Sequence, residues 1–521
     1  MLGVATPAAL PGHPRLAALR RWSSAPFVGL SVASGAGVVA GLFTAAAMPR
    51  GPVTPWQAEV VVLAGLVLGA VSAAAAGSRA APVLAALVYV ASFELGRLDA
   101  VGPSVDAIRL DTAVGVLVFA TGRGFHFLLA GLAIMLGASM GGLARRRLLG
   151  GSAAIRRGAV VRAVPRTLLG FVVAGLAVGI ALPGSTPPVV GADGRPLPGS
   201  IAELATVRLG GLDQTVMIRA ADTTKPILLY LSGGPGQSDL ALSRVLSEPW
   251  VREFVFVDWD QRGTGTSYRS FEPVATHTLD RAVTDTIELT EYLRSRFGES
   301  RVYLMGESWG TILGVLAVER RPDLYFAWLG SGQMVDVAET DRRIYRDLAE
   351  HARQVGDTDL AVALTEIGEP PYRDLPWSNA LVWGWYSRLY GRYTPSAGYL
   401  ARGEASGLDS FGLLGSEYGL IDKMNVIRGL ADTFAVMYPQ LQALDLRRDV
   451  PRLEVPVYVL DGAAELDGRR SLAREWFNLV QAPDKQLLTF QGAAHSVAFE
   501  QADEVLRLLT EEVVPATYGS R

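Results

Sequence analysis

Five apolar stretches fill the first 183 residues, and arginine-bearing segments separate them. Stretches 27–47 (FVGLSVASGAGVVAGLFTAAA) and 60–76 (VVVLAGLVLGAVSAAAA) contain no charge. Stretch 82–96 is shorter and carries Glu94, which makes it the weakest of the set. Stretch 124–143 is broken only by His126, and stretch 167–182 is short but uncharged. A bilayer core takes about 20 mostly apolar residues per helix, with a range of about 17–25. A water-soluble domain would have to bury five such segments in succession and still keep arginines outside. The pattern therefore predicts an all-α transmembrane domain of about five helices over residues 1–183. Its Gly, Ala and Ser content suits close helix packing in lipid. A cleaved signal peptide accounts for at most the first stretch.

Arginine also predicts the orientation. Between the fourth and fifth stretches lie Arg145, Arg146, Arg147, Arg156, Arg157, Arg162 and Arg166, with no acid among them. Positive charge marks cytoplasmic loops. Counting back through five spans puts the N-terminus inside, in agreement with Arg15, Arg20 and Arg21, and it puts Arg79 on an inside loop. The loop from Arg97 to Arg123 falls outside. Everything after residue 183 is expected on the extracytoplasmic side of a multi-pass cell-membrane protein. Should the third stretch fail to cross, the N-terminus moves outside, and the arginine-rich segment still keeps the C-terminal part outside.

The net charge of −3 conceals two regions of opposite sign. Residues 1–183 hold fifteen arginines, no lysine and five acids, about +10, which leaves about −13 for the rest. An acidic C-terminal part without a basic patch argues against nucleic-acid binding. The absence of cysteine excludes disulfides, thiolate metal sites and a cysteine nucleophile. No metal or organic cofactor is implied, and the oligomeric state is not legible. Residues 184–200, dominated by Pro, Gly and Ser, read as a linker.

After residue 200 the pattern alternates. Strand-like runs are expected at 203–209 and 214–220 around Gly210-Gly211, then at 227–231, 254–257, 302–305, 326–329, 455–460 and 486–490. Helices are expected at 279–297 and 502–513. Short buried strands alternating with helices predict a mostly parallel sheet covered on both faces. Residues 333–450 break this rhythm. They are helix-compatible and rich in aromatics (Trp377, Trp383, Trp385, Tyr386, Tyr390, Tyr393), and they read as a helical insertion over the sheet's C-terminal edge, where open α/β sheets bind ligands. The aromatics are expected mainly to form the insertion's own core.

The run RVYLMGESWGTILGV, residues 301–315, sets Ser308 between Gly306 and Gly310, after a strand and before a helix. In a chain with 57 glycines the pentapeptide alone means little. Its strand–turn–helix setting is what a nucleophile elbow requires. The N–H of Trp309 at the helix start can face a developing oxyanion. A serine hydroxyl needs a base. Of the five histidines, His13, His126, His277 and His351 fall in the tail, a membrane stretch, a polar stretch and the insertion. His495 follows the last strand and fits the order Ser, acid, His. The acid should follow the strand at 455–460. Glu465, three residues after Gly462, is the favoured candidate, Asp467 the second, and Asp461 a support for the turn. The second oxyanion donor is expected from the loop Ser232-Gly233-Gly234-Pro235-Gly236, at Gly234.

Together these motifs carry a resemblance. Gly233-Gly234-Pro235-Gly236, Asp260-Gln261-Arg262-Gly263-Thr264-Gly265, Gly306-Glu307-Ser308-Trp309-Gly310 and His495 are similar to those of the prolyl iminopeptidase group of α/β-hydrolases, over residues 203–509. The resemblance implies an α/β-hydrolase fold with a helical cap: core at 201–332, cap at 333–450, core again at 451–521. It implies release of N-terminal residues from small peptides. Ser232 stands where the family usually has histidine, Glu307 where it often has glycine, and Glu465 where the triad aspartate is usual. The family's cap supplies acids for the substrate's amino group, and Glu339 is the candidate here, with Glu307 as a second substrate-binding candidate. Family members are usually soluble, so the membrane region lies outside the resemblance. The rival readings are an esterase or lipase with the same triad, a catalytically silent binding module, and a transport role for the membrane part. Sparse intramembrane ionisable groups, Glu94 and His126, give the last little support.

Overall fold

The computed structural model describes residues 26–106, 108–149, 158–391, 393–405 and 412–519. His13, Arg15, Arg20, Arg21, Arg156 and Arg157 lie outside the described residues. The chain forms two compact units, one from residues 1–101 and 122–181, the other from residues 102–121 and 182–521.

The first unit contains α1 (Pro26–Ala47), α2 (Pro55–Ala76) and α3 (Ala80–Gly96); after α4 (Ala113–Phe119), which falls in the second unit, come α5 (Phe125–Leu148) and α6 (Gly158–Ala181). Among the described residues, four helical runs are long and apolar enough to cross a membrane: Phe27–Ala47, Pro55–Ala76, Ala113–Leu148 and Ala163–Ala181. The apolar helix α3, the weakest stretch in the sequence, has 17 residues. One expectation needs correction. The segment from Arg97 to Arg123 is not all loop, because helix begins at Ala113 and continues through a π-turn, Ala120–Gly124, into α5. Thr112 starts it, its hydroxyl accepting the Gly115 N–H at 3.0 Å, and the uncharged AVGVLVF run sustains it.

Local chemistry sets the ends of α2. The Thr54 hydroxyl accepts the Gln57 N–H at 3.2 Å, Pro55 occupies the first turn, and Gly77 (φ +61°) ends the helix. Glycine then fixes how α2 meets α5. A β-carbon on Gly69 would sit 2.0 Å from the Ile134 carbonyl oxygen, one on Gly137 2.0 Å from that of Leu66, and one on Gly141 2.1 Å from that of Ala70. Gly65, Gly69, Gly137 and Gly141 thus form two interlocking small-xxx-small faces. Glu94 and His126, the ionisable residues within the apolar stretches, have partners: Glu94 pairs with Arg97 at 2.6 Å and Arg123 at 3.2 Å, and the His126 ring lies 2.6 Å from the Tyr89 hydroxyl.

The second unit is an α/β body built on an eight-stranded sheet in the order β1-β2-β4-β3-β5-β6-β7-β8. Its strands are β1 (Ile201–Leu209), β2 (Leu212–Ala220), β3 (Ile227–Leu231), β4 (Val255–Asp260), β5 (Val302–Glu307), β6 (Tyr325–Ser331), β7 (Val457–Gly462) and β8 (Lys485–Phe490). β1 and β2 form an antiparallel hairpin, turned by Gly210 (φ +55°) and Gly211 (φ +76°), and β3 to β8 run parallel. The central parallel strands are apolar on both sides, as ILLYL in β3 illustrates, so helices cover both faces. One face packs α8 (Leu279–Phe297), α9 (Trp309–Arg320) and α15 (Asp467–Leu479); the other packs α7 (Leu240–Leu246) and α16 (Ala502–Leu508). Between β6 and β7 the chain forms the helical cap, with α10 (Val337–Val355), α11 (Thr358–Ile367), α12 (Trp377–Tyr390), α13 (Ala397–Ala405) and α14 (Leu420–Met437).

Two connecting segments belong to this body. Within 184–200, Ser185 N–H bonds the Ser416 carbonyl at 2.8 Å, Arg219 donates to the Thr186 hydroxyl at 2.8 Å, and Val189 is fully buried. The Pro-rich composition prevents a strand there, and the body supplies the backbone's partners instead. Within 102–121, the Ser104 N–H and hydroxyl donate to Asp432 at 2.8 and 2.6 Å, and Arg109 pairs with Asp374 at 2.8 Å. Val118 packs with Trp377, Ile427 and Ala431.

Candidate active site

Ser308 is the junction between β5 and α9. It is the non-glycine residue with positive φ (+53°) among the described residues. Such a conformation costs about 1–3 kcal/mol and persists only where its surroundings impose it. They do so by crowding. A β-carbon on Gly306 would sit 2.4 Å from the Gly310 carbonyl oxygen, and one on Gly310 2.1 Å from the Leu231 carbonyl oxygen. The strand β3 and the elbow therefore touch backbone to backbone, and Ser308 N–H bonds the Ser331 carbonyl at 3.1 Å.

His495 lies in the loop after β8. Its Nδ1 is hydrogen-bonded to Glu465 Oε2. Glu465 follows β7, its side chain only 5% exposed, and its other oxygen accepts the Leu466 N–H at 2.7 Å. Burial alone would raise its pKa, yet the His495 and Arg469 charges and the hydrogen bonds outweigh burial and bring it to about 2. The carboxylate is held ionised against the ring. Asp467 lies exposed at the start of α15. Asp461 is bound by Arg470 at 3.0 Å, Arg474 at 2.7 Å and Thr489 at 3.0 Å, which ties β7 to α15 and β8. Gly332 (φ +58°) gives the His495 ring its place, since a β-carbon there would come within 2.8 Å of it. The sequence reading missed this glycine; its one signal was its position just past the β6 end.

Ser308 and His495 line one cavity of about 340 Å³, together with Gly234. Gly234 (φ +113°) belongs to the loop after β3, and a β-carbon on neighbouring Gly233 would lie 3.4 Å from Ser308 Cβ. Trp309 anchors the elbow helix: its indole N–H donates to Gln261 Oε1 at 2.8 Å, and Gln261 Nε2 donates to the Ser232 carbonyl at 3.1 Å. One glutamine side chain thus joins the three loops whose motifs the sequence grouped.

Glu307 is buried and does not line the cavity. Its carboxyl accepts from the Ser496 hydroxyl at 2.6 Å and from the Tyr230 hydroxyl at 3.2 Å. The residue before Ser308 is therefore bonded to the residue after His495. Burial first, then the nearby Asp239 charge, pushes the Glu307 carboxyl up to about 8. Asp239, bonded to the same Tyr230 hydroxyl, is raised to about 6, and Asp260, bonded to Thr266, to about 7, both chiefly by burial.

The cap closes the cavity with Trp383, Tyr386, Tyr390, Leu430 and Asp341. Three of the aromatics assigned to the insertion's own core thus face the cavity, whereas Trp377 is core. Glu339 is not among the cavity-lining residues and forms ion pairs with Arg342 and Arg343, each at 3.0 Å. Asp341, two residues on, does line the cavity, accepts the Tyr438 hydroxyl at 2.7 Å, and is pushed up to about 6 by burial. A signal for it exists in the sequence. Val337, Asp341, Ile344, Leu348 and Ala352 recur at helical spacing, so Asp341 is an acid on an apolar face. Arg469 also lines the cavity, beside Glu465 at 3.5 Å and with its guanidinium 4.9 Å from the Tyr386 ring centre.

The second unit is similar to several known proteins. The serine aminopeptidase family profile matches residues 243–359. The probable aminopeptidase YbaC of Bacillus subtilis is 28% identical over 304 residues, which span 58% of this chain and 93% of that protein. Among solved structures, the proline iminopeptidase of Mycobacterium smegmatis aligns with 60% of this chain and all of its own at 19% identity and a TM-score of 0.39. A proline iminopeptidase-related protein from Thermus thermophilus aligns with 61% of this chain and 98% of its own at 22% identity and a TM-score of 0.41. The second unit is a serine aminopeptidase-like α/β-hydrolase, and the chain is an enzyme of the hydrolase class.

Proposed function

We propose that the protein is a membrane-anchored aminopeptidase that removes N-terminal residues, in the manner of a prolyl iminopeptidase, from short peptides on the extracytoplasmic side. Ser308 Oγ attacks the carbonyl carbon of the first residue while His495 takes its proton. Glu465 holds the ring so that Nε2 faces the serine and stabilises the imidazolium that forms. The N–H groups of Gly234 and Trp309 receive the oxyanion. His495 then returns the proton to the departing amine, and water, deprotonated by the same ring, frees the acyl group and restores Ser308.

The observation that carries the peptidase reading is the buried carboxylate of Asp341 in the same small cavity as Ser308 and His495. It gives a substrate ammonium a charged partner away from water, and it takes the role first sought at Glu339. The apolar wall of Leu242, Met334, Val426 and Leu430 favours a second reading, an esterase acting on apolar acyl groups.

Membrane anchoring is supported by the four long apolar helices. The side is supported by residues 102–121, which separate two apolar helices in sequence yet pack within the hydrolase body through Ser104, Arg109 and Val118. Segments that pack together share one face of a bilayer, and Arg145, Arg146, Arg147 and Arg166 mark the other face as cytoplasmic.

The test is a substrate panel of aminoacyl-amides, short peptides and acyl esters, run on the purified chain beside Ser308→Ala. Turnover of peptides that disappears in the variant is expected. Ester turnover with no activity on any amide would establish the esterase instead.

A further inference from the structure

Helix α5 carries glycine on more than one face. Gly137 and Gly141 are closed by the backbone of α2, as described above. Gly131 and Gly142 are different: a β-carbon on either would meet nothing within 4 Å. Glycine inside a helix costs about 1 kcal/mol relative to alanine. At 137 and 141 close packing offsets that cost; at 131 and 142 no atom of the described residues does. These two glycines, with Met135 and Ala138 between them, wall a cleft of about 810 Å³ against Val83 and Ala86 of α3.

One end of the cleft is cationic. Arg79, Arg145, Arg146 and Arg166 line it, and among the described lining residues none is acidic. Arg145 is fixed by donating to the Ala74 and Ala75 carbonyls at 2.8 and 3.1 Å, at the C-terminus of α2. Arg166 Nε is buried without a hydrogen-bond partner among the described residues. The acids of α2 and α3, Glu59 and Glu94, sit at the opposite ends of those helices. Four guanidinium groups at the mouth of an apolar cleft repel one another unless an anion joins them.

We propose that this cleft binds one anionic phospholipid, its phosphate held by Arg79, Arg146 and Arg166 and its acyl chains lying along the Gly131–Gly142 wall. The inference rests on reading the first unit as membrane-embedded with this end cytoplasmic, the leaflet where anionic lipids gather. Charge selects the headgroup, and the open glycine wall admits the chain beside it.

The experiment uses the full chain in neutral detergent and follows its thermal unfolding as phosphatidylglycerol, phosphatidylcholine or inorganic phosphate is added. Phosphatidylglycerol should raise the unfolding temperature at concentrations where the other two do not. Arg79→Gln, Arg146→Gln and Arg166→Gln should each weaken that effect about fivefold in apparent affinity, as expected from about 1 kcal/mol per basic group at a lipid surface. Gly142→Leu, which fills the cleft and keeps every arginine, should abolish it. Hydrolytic turnover of a soluble substrate reports whether each variant is folded. Equal stabilisation by phosphatidylcholine, equal stabilisation by inorganic phosphate, or an undiminished response in Gly142→Leu would each overturn the proposal. Alkaline extraction of membranes separates the two levels. Release of the chain into the supernatant sinks the membrane reading itself, whereas retention without lipid preference sinks only the lipid site.

Discussion

In the N-terminal helical unit, Gly69 and Gly137 let α2 and α5 approach until a β-carbon on either would lie 2.0 Å from a carbonyl oxygen of the other helix. In the hydrolase body, Gly310 brings the Ser308 elbow against β3 with a similar clearance, 2.1 Å from the Leu231 carbonyl oxygen, and Gly306 lets the elbow close on itself, 2.4 Å from that of Gly310. The geometric device is shared and its purposes differ. On the proposed membrane placement, the helices of the first unit gain nothing from burying apolar surface against each other, so close backbone approach is itself the stabilising contact. The hydrolase core already has the hydrophobic effect to hold its sheet. Its glycines instead shape the turn that carries Ser308 and make room for the His495 ring, and both residues line one cavity. Position in the first unit is chiefly a matter of volume; in the second it is volume and charge together.

That contrast can be broken by changing one property at a time. The largest effect is expected from charge without volume. Glu465→Gln keeps the shape of the side chain and removes the anion that orients His495, so kcat should fall about a thousandfold or more while the thermal unfolding temperature barely moves. Volume without charge should act the other way. Gly137→Leu should destabilise the helical unit by about 1–3 kcal/mol or more through overpacking. Membrane-extracted yield should drop while kcat of the surviving protein stays unchanged; a loss of kcat would mean that the two units are not separable in this sense.

Asp341→Asn sharpens the comparison within the body. If its carboxylate pairs with the substrate ammonium, kcat/KM for peptides should fall about tenfold to a hundredfold. Turnover of acyl esters lacking an amino group should be unchanged.

The smallest effect is a pH dependence. The Glu307 carboxyl is pushed from an ordinary 4.5 up to about 8, so it binds a proton on folding. Its contribution to stability is fully present below pH 4.5 and is lost as pH rises through 8. Asp239 and Asp260, raised to about 6 and about 7, act in the same direction. Glu307→Gln should therefore flatten, without abolishing, the decline in unfolding temperature over that range. A steeper decline in the variant would refute the assignment.

Much of the fold was legible because its signals are local. Apolar runs bounded by Gly and Pro fall on all eight strands, to within a few residues, and the Gly306–Gly310 pentapeptide states its own turn. The segment from Arg97 to Arg123 was misread where a seven-residue apolar run, too short for a span, proved to be helix. The two cap acids illustrate the limit in the site. Glu339 and Asp341 lie two residues apart with the same chemistry; Glu339 pairs with Arg342 and Arg343 on its own helix, while Asp341 sits on the apolar face of α10, and only packing sets that face against the cavity.

The sequence by itself therefore determined what depends on neighbours along the chain: two regions of opposite charge, five apolar helices, an alternating strand–helix order and a serine on a tight turn. Tertiary structure decided what depends on neighbours in space. It paired Glu465 rather than Asp467 with His495, gave Glu307 to Ser496, and set Gly332 under the histidine ring. It also left one glycine wall of α5 open beside four arginines. Periodicity and turn chemistry act over a few residues, whereas these contacts join positions tens to hundreds of residues apart, and only packing chooses among them.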